Sequence, residues 1–475
     1  MSTDAATRRT RSGRRRSRAF VATFGIVVGL LAVLGLAGAA SSVAQGPRVT
    51  ETSVDPAAAA AASGSRLIVT TTQSLAEVDP SQVTITPATP FVVDTSGRSV
   101  GVRFTLPLWD DTEYTVTIDG VASLGGGPTA TITETFRTPP TDVFLLQRGT
   151  NDGDLIYRTD LTGQNAVPVF RHPHIEDFRA TAAHLVVSVR TDEDRAGLIV
   201  TDLDGENPQD LPLPVEDGGD GYVSNLQTAD RGERIGYTFS DAELDADSGR
   251  ESRLFTASLG DPEADPVAIE VEGADPRVAE WRFVPDTDSI LLLSFDGSLL
   301  LTGSAGEGAT ALGSAIGING IARGSSEAVI DRVDRAVIID LTDASEQPLV
   351  TPDPDLGGTS SITPLPDGST IRTAAVLDAD GIPTGRTSIV RVAADGAATV
   401  LTETAETDAV IQVCVSPSAR YVAVLMAPDA VGNPYDTYQL PLPERPETRI
   451  LQVADGEPVV ALNGSSVSWC QVPPL

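Results

Sequence analysis

VIQVCVSPSARYVAVLMA, residues 410–427, is a short strand, a Ser-Pro-Ser turn and a second apolar strand. The same arrangement recurs as VAEWRFVPDTDSILLLSF at 278–295 and SSITPLPDGSTIRTAAVL at 360–377. Weaker copies read DFRATAAHLVVSV at 177–189, NLQTADRGERIGYTF at 225–239 and GIARGSSEAVIDRV at 320–333. The turns fall near Thr181, Ala229, Pro285, Gly324, Pro366 and Pro417, so the spacing runs from 39 to 56 residues. Residues 142–475 contain almost no helix-period sequence, and a repeat of this length is the organising feature of that segment.

A second signature follows several copies, as in LIYRTDLTGQNAVPVF at 155–170 and LIVTDLDGENPQDLPL at 198–213. It reads as strand, tight hairpin, strand. Together the two signatures make four strands per unit, the size of a propeller blade. These units, with SPSARYVAVL and DLDGEN among them, resemble the WD-like propeller repeats of the TolB type. The segment opens with VFLLQRG, LIYRTDL and AVPVF, three strands of a blade without its first. It finishes with VSWCQVP at 467–473, where Trp469 aligns with Trp281 and Pro473 with Pro285 and Pro417. Adding strand 467–473 to the opening three closes a ring of seven blades over 142–475 and leaves no sheet edge at the seam.

The only two cysteines, Cys414 and Cys470, take the same repeat position on neighbouring innermost strands in this alignment. The expectation is a Cys414–Cys470 disulfide that locks the seam; side chains related by rotation about a ring point the same way, which disfavours direct bonding unless local twist overcomes it, and two buried thiols are the alternative. Both readings stand at this level.

The N-terminal region has a different character. Seven arginines crowd residues 1–18 against one acid, and 19–40, AFVATFGIVVGLLAVLGLAGAA, carries no charge. That length matches a helix crossing a hydrocarbon core of about 30 Å, with the basic side retained in the cytoplasm. The expectation is one retained transmembrane helix at 19–40 in a single-pass cell-membrane protein, with everything after it extracytoplasmic. Cleavage after Ser42-Val43-Ala44 is the alternative. Position 39 is alanine, so no lipidated cysteine follows LAG. Beyond the span lie 26 arginines against 65 acids, and no lysine occurs anywhere. Such a surface repels nucleic acid. Disulfides persist in an exported compartment, which suits a single pair.

Residues 41–64 are rich in Ala, Ser and Pro and read as a linker. From 65 to 140 come short alternating strands, RLIVTTT, SQVTITP, SVGVRFTL, EYTVTI and ATITETFRT, as expected for a β-sandwich. TQSLAEVDPSQVTITP, LPLWDDTEYTVTIDGVASLGGGP and TFRT resemble the Ig-like domains of bacterial S-layer and cell-wall proteins, in which Tyr114 would tie a corner. The fold class is an all-β ectodomain, sandwich plus propeller, behind one membrane helix.

Motifs that could carry chemistry are few. Gly97-Arg98-Ser99-Val100-Gly101 matches G-x-S-x-G but joins two strands, so it reads as a hairpin turn. His172 and His174, with Glu176 and Asp177, could approach a metal across Pro173; a loop at a blade rim is the plainer reading. Asp202-x-Asp204-Gly205, Asp378-x-Asp380-Gly381 and Asp245-x-Asp247-x-Gly249 look like fragments of calcium loops, yet none is complete. Asn463-Gly464-Ser465 formally matches a glycosylation acceptor. No catalytic residue and no cofactor is assigned.

The functional expectation is a non-catalytic envelope protein that presents its propeller to a protein, peptide or cell-wall glycan. A metal-dependent hydrolase or lyase with a site in the central channel is the alternative. A propeller-plus-hydrolase peptidase would need a further domain of about 200 residues, and a sensor would need more than the eighteen residues expected inside the cell.

Overall fold

The computed structural model describes residues 20–35, 46–150, 152–191, 193–215, 219–229, 233–244 and 249–474. Residues 20–35 are helical. Among the described residues no helix is long and apolar enough to cross a membrane. Residue 19, residues 36–40 and the basic stretch 1–18 lie outside them, as does Ser42-Val43-Ala44.

The chain divides into two compact units. The first comprises residues to Pro56 together with 65–104 and 113–137. One of its antiparallel sheets orders its strands Val49–Ser53, Arg66–Thr71, Ser99–Phe104, Phe91–Ser96; the other orders Val83–Thr86, Glu113–Val121, Ala130–Arg137. Alternate residues turn inward, with Leu67 and Val69 on one strand, Val100, Val102 and Phe104 on another, and Tyr114, Val116 and Ile118 facing them. Phe104 and Tyr114 both meet the Phe136 ring, at 6.1 and 5.9 Å between centroids.

Two expectations are corrected here. Residues 49–53 form an edge strand and not linker: VTETS carries β-branched residues that pair with Arg66–Thr71. Residues 57–64, most of a short helix (Pro56–Ala61), and 105–112 belong to the second unit, so the boundary at 65–140 is not a clean cut. In contrast, Gly97-Arg98 is the two-residue turn between strands Phe91–Ser96 and Ser99–Phe104, with Gly97 at φ +59°.

From Asp142 the chain builds seven consecutive sheets. Blade 1 holds three meandering strands over 142–172, and blades 2 to 7 hold four each, over 175–211, 221–268, 278–314, 317–348, 359–403 and 409–463. Apolar side chains on alternating faces join each sheet to the next. Val186 and Leu198 of blade 2 pack with Tyr237 and Phe239 of blade 3, and Leu254 of blade 3 packs with Trp281 of blade 4. The last sheet packs on the first: Val143, Leu145 and Tyr157 share a cluster with Tyr421, Ala423 and Ile450. The sheets therefore form a ring, a seven-bladed propeller.

Blade 1 gains its fourth member from Ser465, which bridges to Leu146 with N–H···O bonds of 2.9 and 2.8 Å, and from Ser468, whose N–H donates to Phe144 O at 3.0 Å. The pairing thus runs through 465–468 and not through a strand at 467–473. Gly464 makes this possible, because a Cβ there would lie 3.0 Å from Leu146 O. Beyond Val467 the chain turns, and Cys470 N–H donates to Val467 O at 2.9 Å. Trp469 therefore does not take the place in a strand that Trp281 takes; its ring stacks on Tyr421 at 6.0 Å. The turn also frees Cys470 from the rotational relation that opposed a bond. Cys414 and Cys470 are disulfide-linked, with Cα atoms 5.4 Å apart.

The innermost strand of every blade from 2 to 7 carries a β-bulge, near its start in all but blade 3, where it falls between Ser224 and Gln227. Each bulge inserts a residue and re-aims the next side chain. Past the bulge, Gln227 Nε2 donates to Trp281 O of the following blade at 2.7 Å, and Glu280 Oε2 accepts from Ile318 N–H of the following blade at 3.0 Å. Gln412 Nε2 donates to Val472 O at 2.9 Å. The first two bonds run across seams between innermost strands, and the third ties the innermost strand of blade 7 to the C-terminal segment.

Candidate functional site

In a four-stranded meander the first and third strands run one way and the second and fourth the other. Turns within the first and last strand pairs therefore collect at one rim, called lower here. The central hairpins and the starts of the innermost strands collect at the upper rim. Lower-rim turns receive the segments 57–64 and 105–112. Ser63 Oγ donates to Asp286 Oδ1 at 2.6 Å, Arg420 Nη1 donates to Asp110 O at 2.7 Å, and Leu108 N–H donates to Ala59 O at 2.8 Å. They border a cavity of about 320 Å³ that reaches Arg158, Tyr421 and Trp469. Burial raises the Asp110 carboxyl against the pull of Arg420, and burial pushes the Tyr421 hydroxyl up to about 12.

The upper rim is dominated by one segment. Residues 428–446, between strands Tyr421–Ala427 and Glu447–Gln452 of blade 7, are far longer than the central hairpins of blades 4 and 5. This strap reaches blades 1, 2 and 3. Tyr438 hydroxyl lies 3.0 and 2.9 Å from the two carboxylate oxygens of Asp154. Gln439 and Leu440 N–H groups donate to Glu176 Oε1 and Oε2 at 3.3 and 3.2 Å, and Gln439 Nε2 donates to Ser224 Oγ at 2.9 Å. Arg148 Nη1 pairs with Asp436 Oδ2 at 2.9 Å and donates to Leu440 O at 2.8 Å, with its guanidinium 4.2 Å from the Tyr438 ring centroid. Under the strap lies a cavity of about 720 Å³, walled by Pro428, Leu442, Pro443, Arg445, Asn463 and Ser465 among others.

The carboxylates of this cluster already hold protein donors. Asp154 also accepts from Gly149 N–H at 2.9 Å and Ile175 N–H at 2.7 Å. Glu176 meets His174 Nε2 at 2.7 Å, and Asp436 Oδ1 accepts from Leu442 N–H at 3.0 Å. Burial, with Asp154 alongside, holds the Tyr438 hydroxyl protonated far above neutral pH. The arrangement is a latch: acids matched to fixed protein donors hold the strap in place.

The sequence-expected residues take these places. His172 Nδ1 lies 3.0 Å from His174 O, and the His174 ring packs on Tyr438 at 4.0 Å. Asp177 turns away from both histidines to Arg179, at 2.9 Å. Burial raises the Asp177 carboxyl, and its Oδ2 together with Arg179 Nε and Nη2 meets no protein partner. His172, His174 and Asp177 are thus not drawn to one point, and no group of three His, Cys, Asp or Glu side chains among the described residues is placed to hold a metal. Asp202-x-Asp204-Gly205 is a hairpin whose Asp202 Oδ2 accepts from Asn207 Nδ2 at 2.7 Å, and Asp378 Oδ1 accepts from the N–H groups of Asp380 and Ile382, both at 2.9 Å. Asp245 and Asp247 of the third acidic turn lie outside the described residues. The latch members Arg148, Asp154, Asp436 and Tyr438 escaped the sequence reading. The one signal was the length of 428–446, with two of the chain's seven tyrosines.

No protein-family model and no curated protein matches the chain. Solved structures similar to it include an oligogalacturonate lyase in complex with manganese, at 12% identity and TM-score 0.45, covering 79% of this chain and 96% of that one. A putative 6-phosphogluconolactonase from Bacteroides fragilis aligns at 12% identity and TM-score 0.42, covering 69% and 96%. TolB from Acinetobacter baumannii aligns at 12% identity and TM-score 0.37, covering 82% of each. The propeller architecture of residues 142–474 rests on the chain's own seven sheets.

Proposed function

We propose that this chain is a non-catalytic binding protein of the cell envelope: a membrane anchor at 19–40 with the basic end in the cytoplasm, an Ig-like spacer, and an extracytoplasmic propeller that engages a protein partner. The observation that carries this reading is the latch. The acid, histidine and tyrosine side chains that converge at the strap are engaged in holding 428–446 in place, which suits presentation of a fixed surface. The disulfide agrees with an oxidising compartment, and the long uncharged stretch with an anchor. Protease added outside intact cells should digest the region after residue 46, and crosslinking from the propeller should capture an envelope component. Full protection from external protease overturns the placement, and turnover of a small substrate abolished by Tyr438→Phe overturns the non-catalytic role.

A further inference from the structure

The two rims of the propeller differ in a way that folding does not require. Large apolar side chains stand exposed at upper-rim connections: Ile316 between blades 4 and 5 (63% exposed), Val333 on the blade 5 hairpin (83%), Leu377 and Ile382 on the blade 6 hairpin, and Val431 and Tyr435 on the strap (100% and 52%). Among the described residues the lower rim shows fewer: Val167 and Val267, each the first residue of an outermost strand, and Trp109 in the segment 105–112. Scattered exposed apolar residues are ordinary, but a set of six clustered at one rim of consecutive blades is not scatter. Turn chemistry does not ask for them either. Tight hairpins favour Gly, Asn, Asp and Ser, and Val333 at such a tip adds nothing to its turn.

The same stretch of rim is acidic. Asp334, Asp380, Glu406 and Asp429 are all exposed there. The exposed arginines beside them are Arg335 and Arg445, and Arg445 is turned onto Gly432 O. Strap and neighbour are contiguous, since Asp429 N–H donates to Asp408 Oδ1 at 3.1 Å and Ala430 N–H donates to Thr407 O at 2.8 Å. Carboxylates around apolar tips repel an anionic lipid surface and attract a basic one.

From this concentration of apolar tips among carboxylates on neighbouring blades we infer that the upper rim of blades 5 to 7 is a docking surface for a polypeptide segment that alternates apolar and basic side chains. The inference rests on the binding-protein reading and adds to it the face and the partner's chemistry. Val333, Ile382 and Val431 enter the partner's apolar side, while Asp334, Asp380 and Glu406 meet its cations and speed encounter at low salt.

The test uses the full chain in detergent and two synthetic extended peptides, one alternating arginine with leucine or valine and one with glutamate in place of arginine. Anisotropy should show binding of the basic peptide alone, weakening as salt rises. Val333→Ser/Ile382→Ser/Val431→Ser should weaken it at least about tenfold, and Asp334→Lys/Asp380→Lys/Glu406→Lys should reverse the peptide preference. All six sites are exposed, and an unchanged circular dichroism spectrum and melting point verify the fold. Equal binding of both peptides, no loss in the serine variant, or tip-dependent binding to phosphatidylglycerol vesicles in place of peptide overturns the inference. A dimer dissociated by the serine variant would do the same, by assigning the tips to a second copy. Photo-crosslinks on intact cells from lower-rim positions but none from 333 or 431 would leave the binding-protein reading standing and remove this surface.

Discussion

Reduction of the Cys414–Cys470 bond, or replacement of both cysteines by alanine, should weaken the ring at its seam. The bond joins the innermost strand of blade 7 to the turn that follows the closing segment, across a sequence separation of 56. Chain-entropy loss for a loop of that size is about 4 kcal/mol at 25 °C. The native contacts around it, Trp469 on Tyr421 and Ser465 on Leu146, remain after reduction, so the loss should arise mainly by freeing the unfolded chain. Urea unfolding followed by tryptophan fluorescence, with and without reductant, should show a lower midpoint and a difference of this order. The double-alanine variant should match the reduced protein. Hydrogen exchange adds a local readout, because the amides of Leu146, Ser465 and Ser468 should exchange sooner in the reduced form. If reduced and oxidised proteins unfold at the same urea concentration and these amides exchange alike, the seam is not a limiting element of stability, and the part assigned to the two sulfurs fails.

Tyr438→Phe should free the strap while leaving the blades intact: Asp154 loses the hydroxyl it shares with Tyr438, at a cost of about 1–3 kcal/mol, and limited proteolysis should cut within 428–446 first. Gly236→Ala should be strongly destabilising, since a Cβ there would sit 2.4 Å from the Trp281 ring, and thermal melting would report it. The Arg277 guanidinium holds the Asp275 carboxyl down to about 2. A depressed carboxyl contributes stability above its unfolded value of 3.8 and loses it as pH falls through about 2, so Arg277→Gln should flatten the acid limb of stability between those values. Asp177 has the opposite sign: its raised carboxyl makes ionisation costly as pH climbs above the unfolded value, and Asp177→Asn should flatten that rise in cost in pH-dependent urea melts.

Much of the propeller was legible because its signals are local. An alternating strand, a turn and an apolar strand such as 410–427 or 278–295 report their pairing over a handful of residues, and most such pairs stand as hairpins in the structure. The first sheet of the other unit was less legible, because Val49–Ser53 is fully exposed and shows no inward face to read.

By itself, then, the sequence determined what depends on neighbours in the chain: all-β character, the four-strand unit, a C-terminal segment available to complete the first blade, and one pair of sulfurs. Only the tertiary structure decided which atoms meet across the ring. Tyr438 finds Asp154 from 284 residues away, and Ser468 finds Phe144 from 324. The closing pairs shifted to 465–468 because Gly464 permits a close approach and the chain then turns, which also brings Cys470 to Cys414. The clustering of apolar tips at the upper rim likewise has no signature along the chain, since it follows from which turns an antiparallel meander collects at the same end. Periodicity records the face a side chain takes within its own sheet; contacts between distant blades depend on ring closure and bulges, and no local pattern encodes those.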